Sequence, residues 1–120
     1  MKKTILLVIP FVFCNFSNAQ NAAEKYIKTG IEKDSLKDYA GAIAEFSKAI
    51  ELDPKNAEYF YNRGLSKNHC EDYSGSIADF TRAIEIDSNI GDYFNNRGNS
   101  RSEINDTKGA IADYSKAIKI

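Results

Sequence analysis

Asp72-Tyr73-Ser74-Gly75-Ser76-Ile77-Ala78-Asp79-Phe80-Thr81-Arg82-Ala83-Ile84 is the stretch on which the fold turns. Tyr73, Ile77, Phe80 and Ile84, with Ala83 beside them, follow the 3.6-residue spacing of one face of an α-helix. Asp72 stands just ahead of that face. Its short carboxylate can accept from the first free amides and suits the positive end of a helix. Upstream, Phe60, Gly64 and Leu65 mark a second helical face running from Asn56 to about Cys70. Asp53-Pro54 ends the helix before it, because proline cannot continue a helix and holds its predecessor extended. The local reading is helix, tight turn, helix.

The same device recurs on both sides at a lag of 34 residues. Gly30, Gly64 and Gly98 form one column, and Gly41, Gly75 and Gly109 another. Asp38, Asp72 and Asp106 share a phase, as do Ile43/Ile77/Ile111, Ala49/Ala83/Ala117 and Ile50/Ile84/Ile118. Phe46, Phe80 and Tyr114 make an aromatic column. An isolated helix pair cannot bury its apolar face, so such units stack into a solenoid. The mid-helix glycines let two helices approach where a side chain would hold them apart, and the alanine column does the same from the second helix. Phe46, Phe80 and Tyr114 are expected to fill the space between adjacent units. Arg63 and Arg97 on first helices can pair with Asp79 and Asp113 on second helices, for about 0–1 kcal/mol if exposed.

These columns resemble the tetratricopeptide repeat (TPR) family. Its glycine falls on Gly30, Gly64 and Gly98, its aromatic residues on Tyr39, Tyr73, Phe46, Phe80 and Tyr114, and its alanine on Ala49, Ala83 and Ala117. Tyr26, Phe60 and Phe94 replace a family Trp, Thr107 replaces an aromatic, and Ser88 replaces the closing Pro. The resemblance implies an all-α, right-handed α-solenoid of three helix-turn-helix repeats, at about 23–56, 57–90 and 91–120, the third slightly truncated. It also implies a concave face lined by first helices. There the residues run from apolar (Ile27, Ile31) through Tyr61, Asn62, Leu65 and Asn68 to amide-rich (Asn95, Asn99). Asparagine can both donate to and accept from a peptide backbone, and tyrosine offers apolar area with a polar tip. One subtype clamps a C-terminal carboxylate with lysine, arginine and asparagine. Asn62 matches that set, but Ile27, Ile31, Asn95 and Asn99 stand at its other places, so such a clamp is not expected.

The chain opens Met1-Lys2-Lys3, continues with the apolar run Ile5 to Phe13, and turns polar through Ser17 and Ala19. That is the layout of a secretory signal peptide at 1–19, with a cut after Ala19. The run is too short for the roughly 20 residues of a membrane span. Lipid modification at Cys14 is the alternative processing. The processed chain, 20–120, keeps Cys70 as its single thiol and so makes no internal disulfide. An exported protein of the periplasm, cell envelope or extracellular space is expected.

Sixteen Lys and Arg balance seventeen Asp and Glu, which removes the basic face that nucleic acid requires. One histidine limits acid-base and metal chemistry. His69 and Cys70 are adjacent and point about 100° apart on a helix, so they form no dyad. Cys70 shares a column with Leu36 and Ile104, which suggests a buried apolar role. No catalytic group, cofactor or metal site is expected. The function expected is a protein-interaction scaffold that binds a peptide or helix on the concave face. The alternative is a structural subunit self-associating through Ile111, Tyr114, Ile118 and Ile120 on the uncapped last helix.

Overall fold

The computed structural model describes residues 9–120, with side chains from Phe16 onward. The charged head expected of a signal peptide, Met1-Lys2-Lys3, lies outside the described residues, as do residues 5–8 of the apolar run and the side chain of Cys14. Six helices follow in order: α1 (Ile9–Ser35), α2 (Tyr39–Leu52), α3 (Ala57–His69), α4 (Tyr73–Ile86), α5 (Gly91–Glu103) and α6 (Thr107–Lys119). The backbone of α1 passes through Ala19 without a break. Among the described residues there is no strand. The all-α repeat solenoid expected from the sequence is the fold observed.

Each hairpin is closed by one compact device. Lys37, Glu71 and Asn105 adopt positive φ, at 62°, 65° and 63°. The following amides of Asp38, Asp72 and Asp106 reach back five residues to the carbonyls of Lys33, Lys67 and Arg101. This is a Schellman turn, which satisfies carbonyls orphaned at a helix end. The same three aspartates then cap the next helix, each side chain accepting from the amide of Gly41, Gly75 or Gly109 at 3.0 Å. One residue thus ends one helix and starts the next. A Cβ on these glycines would collide with the capping carboxylate.

The helices of each pair meet where the first glycine column lies. A Cβ at Gly64 would stand 2.7 Å from Phe80 Cε1, and one at Gly98 2.8 Å from Tyr114 Cε1. Phe46 covers Gly30 in the same way. The aromatic column therefore packs first inside its own hairpin, not chiefly between units. A ring lies flat on bare backbone, and that contact needs the glycine opposite it.

Consecutive helices pack together along the whole chain. In addition α1 touches α3 and α3 touches α5, while α2, α4 and α6 do not touch one another. The first helices converge and the second helices splay, so α1, α3 and α5 line the inner face. Between hairpins the core is built from Ala49, Ile50 and Tyr59 at the first junction. At the second it is built from Ala83, Ile84 and Tyr93.

Candidate partner-binding groove

The junctions α1–α3 and α3–α5 differ at several columns, and the one that matters most to the groove is the column of Ile27 and Tyr61. At the second junction the column holds Tyr61. Its ring lies 4.9 Å from the Tyr93 ring and 5.8 Å from Phe80, and its hydroxyl accepts from Asn96 Nδ2 at 3.1 Å. Burial, with the charge of Asp92 adding to it, pushes the Tyr61 hydroxyl above its ordinary pKa. At the first junction the same column holds Ile27, which is shorter and has no hydroxyl. Space opens there between α1 and α3. Asn96 Nδ2 donates to Tyr61 and also to the Asp92 carbonyl at 2.9 Å, whereas the buried Nδ2 of its counterpart Asn62 has no partner.

That space forms two adjoining hollows that share Ile31. The first, of about 400 Å³, is walled by Ile27, Ile31 and Tyr59, with Gln20, Glu24, Lys28, Glu32, Asn56 and Glu58 around its mouth. The second, of about 290 Å³, is floored by Phe46 and Leu65 and bordered by Asp34, Ser35, Asn62 and Ser66. Ile31 is 51% exposed, an apolar side chain open to solvent at the centre of the groove. Asp34 closes one end, accepting from Ser66 Oγ at 2.5 Å and lying 3.3 Å from His69 Nδ1. Tyr39 packs against the His69 ring at 5.2 Å.

The residues expected on the inner face thus divide. Ile27, Ile31, Asn62 and Leu65 meet in the groove. Tyr61 is partly buried and its hydroxyl is committed to Asn96, so it serves the junction between repeats. Asn68 sits partly buried near the end of α3, and Asn95 is exposed on α5. Asn99 is also exposed, and its Oδ1 accepts from the Tyr114 hydroxyl at 2.6 Å. Tyr59, Glu24, Glu32 and Glu58 complete the groove walls. The repeat phase could have shown the Tyr59 wall, since Tyr59 and Tyr93 fall one lag apart.

At the last helix, Ile111, Ile118 and Ile120 are exposed, Ile118 at 85%. Tyr114 does not join them. It lies over Gly98 inside its own hairpin. The buried role expected for Cys70 is also corrected. Cys70, Leu36 and Ile104 are all exposed, because their column is the cap residue of the Schellman turn and not a core face. Arg63–Asp79 and Arg97–Asp113 do pair, but not as surface pairs, since both carboxylates are almost fully buried. Among the described residues no cluster of three metal-ligating side chains exists, and no helix is long and apolar enough to cross a membrane.

A stack of capped helical hairpins with an open inner face defines a helical-repeat scaffold. Residues 35–67 match a family model described as TPR repeat, and residues 57–90 one described as tetratricopeptide repeat, so the segment 35–90 carries tetratricopeptide repeats. The chain is similar in structure to the TPR domain of Arabidopsis OM64, at 26% identity, TM-score 0.81 and 83% coverage of each chain. It is similar to the second TPR of Spaghetti (RPAP3) bound to the HSP90 peptide SRMEEVD, at 24% identity and TM-score 0.82, covering 86% of this chain and 94% of that one. It is also similar to the Sgt2 TPR domain from Aspergillus fumigatus, at 25% identity and TM-score 0.78, covering 81% of this chain and 64% of that one. No curated relative matches the chain at the sequence level. TPR solenoids are protein-interaction scaffolds and generally not enzymes.

Proposed function

We propose that this chain is an exported, non-enzymatic scaffold that holds a peptide or helix of a partner protein against the groove between α1 and α3. The observation that carries the reading is the Ile27 column. Where its counterpart Tyr61 closes one junction, Ile27 leaves the other open, with apolar walls and Asn62, whose buried Nδ2 is unpartnered, at its border. A small turn of the Asn62 side chain would let a bound backbone carbonyl satisfy that amide, which otherwise keeps an unmet desolvation penalty. The RPAP3 domain, which shares this fold, is bound to a peptide, and that is in keeping with a peptide-binding role. The charged clamp positions of that subtype are Ile27, Ile31, Asn95 and Asn99 here, so a different peptide chemistry is proposed.

The test is affinity capture by the tagged full chain from its native envelope, beside Ile31→Asp. A partner retained by the original chain and lost by the variant supports the reading. Identical capture by both would remove it. Export is tested separately by the mass of the mature product. A chain beginning at Gln20 fits cleavage after Ala19, and a retained Met1 refutes it.

Self-association is the second reading, favoured by the exposure of Ile111, Ile118 and Ile120. Sedimentation of the original chain and Ile118→Asp at tens of micromolar decides it. Oligomers in the original that disappear in the variant support it, and monomers in both refute it.

A further inference from the structure

The groove's walls and its rim point to different parts of one ligand. The walls are Ile27, Ile31 and the ring of Tyr59. The rim carries the exposed carboxylates of Glu24, Glu32 and Glu58 against a single cation, Lys28. Elsewhere, carboxylates set into the hairpins have cations of their own: Glu45 has Lys33 and Lys48, Asp79 has Arg63 and Lys67, and Asp113 has Arg97 and Arg101. Glu24, Glu32 and Glu58 have no ion-pair partner among the described residues. Residues 20–120, without Lys2 and Lys3, carry 14 Lys and Arg against 17 Asp and Glu, a net charge of -3, and three unpaired carboxylates around one mouth concentrate negative charge there. Asp34 at one end and Asp92 on the first turn of α5 extend it along the inner face.

We infer that the occupant of this groove is a cationic segment of a partner protein, in which Lys or Arg residues flank one or two aliphatic side chains. The aliphatic groups seat on Ile27, Ile31 and Tyr59, and the flanking cations reach Glu24, Glu32 and Glu58. The inference rests on the groove reading above and adds its charge selectivity. Apolar burial supplies the non-directional part of the affinity. The carboxylate rim supplies discrimination and a faster encounter, because like charges across an interface are strongly disfavoured. Pairs at a rim are screened by salt, so selectivity should fall as ionic strength rises.

The test uses the full chain and short fluorescent peptides that share two leucines in a Gly-Ser background. They differ only in whether the flanking positions carry Lys, Glu or Ser. Anisotropy is read at about 50 mM and about 500 mM NaCl. The Lys peptide is expected to bind about ten-fold more tightly than the Ser peptide at low salt, and the Glu peptide more weakly still. High salt should bring the Lys and Ser peptides together. The triple variant Glu24→Gln, Glu32→Gln, Glu58→Gln should lose the Lys preference and keep the affinity for the Ser peptide. All three positions are exposed, and circular dichroism confirms that the variant keeps its helices. Ser or Glu peptides binding as tightly as Lys, or a Lys preference that survives the triple variant, overturns the charge selectivity and leaves the groove standing. Binding of all peptides that is unchanged in Ile27→Ser, Ile31→Ser, or no binding of any of them, overturns the groove reading and this inference with it.

Discussion

Arg97 grips Asp113 through two parallel hydrogen bonds, Nε to Oδ2 at 3.0 Å and Nη2 to Oδ1 at 2.8 Å. Its remaining Nη1 donates to Thr81 Oγ1, on the second helix of the preceding hairpin, at 3.2 Å. Arg63 repeats the arrangement with Asp79 and Ser47, at 2.9, 2.7 and 3.2 Å. One guanidinium therefore ties both helices of its own repeat and the repeat before it. Thr29 stands in this column in the first repeat, where Lys33–Glu45 at 3.0 Å carries the pairing between the two helices and Lys48 adds a contact from the same helix. These buried forks set the register between hairpins.

Removing one partner of such a fork leaves a charge with nothing to meet it. Asp113→Ala strands Arg97, leaves Arg101 only its longer pair with Asp106 at 3.7 Å, and is expected to cost about 3 kcal/mol, read as a lower urea midpoint at unchanged slope. Arg82→Ala breaks an exposed pair with Glu85 and a cation–π contact over the Phe60 ring, and should cost under about 1 kcal/mol.

Gly64→Ala places a methyl group against the fully buried ring of Phe80. The ring cannot move without opening the hairpin, so a loss of about 1–3 kcal/mol is expected. That outcome runs against helix propensity, which favours alanine by about 1 kcal/mol in a helix. Thermal unfolding of the variant gives the sign.

Glu71 occupies a left-handed backbone conformation, at φ 65°, where its third-repeat counterpart is Asn105. Glu71→Asn should stabilise by about 0.5–1 kcal/mol, since asparagine tolerates that region better. A lower Tm would show that the turn draws on the glutamate in another way.

The hydrogen bond from Lys33, with the charges of Lys33 and Lys48, holds the Glu45 carboxyl below its ordinary value of 4.5, against the opposing effect of burial. A carboxyl depressed in the folded state contributes stability that is complete above the unfolded value and is lost as pH falls through the folded one. The difference in Tm between the original chain and Glu45→Gln should therefore be constant from neutral pH down to about 5 and shrink below it. A difference that persists at pH 3 would refute the linkage.

Ile27→Tyr should convert the first junction into a copy of the second. The new hydroxyl can accept from Asn62 Nδ2 and the ring can fill the hollow, for a gain of about 1 kcal/mol from the hydrogen bond. Higher Tm together with lost partner capture is the expected pair of results.

The helices and their ends were legible in the chain because both are local. A face repeats every 3.6 residues, and Asp38, Asp72 and Asp106 cap within one turn. The 34-residue lag then carried the stacking, and the arginine pairs were visible as columns. The groove was only half legible. Ile27, Ile31, Asn62 and Leu65 could be assigned to the inner face, but Tyr61 looked like an equal member of it. Cys70 was misread because a column shared with Leu36 and Ile104 resembles a core position, while the Schellman turn rotates it outward.

Periodicity along the chain determined by itself that this protein is three helical hairpins stacked on a shared core, since each signal lies within a few turns of its cause. Only the tertiary structure decided which junction closes and which stays open. That depends on whether one side chain, Tyr61 or Ile27, reaches across to a helix a full repeat away and meets the amide waiting there. Volume and hydrogen-bond reach across a junction are properties of packed pairs, and no spacing along a single helix encodes them.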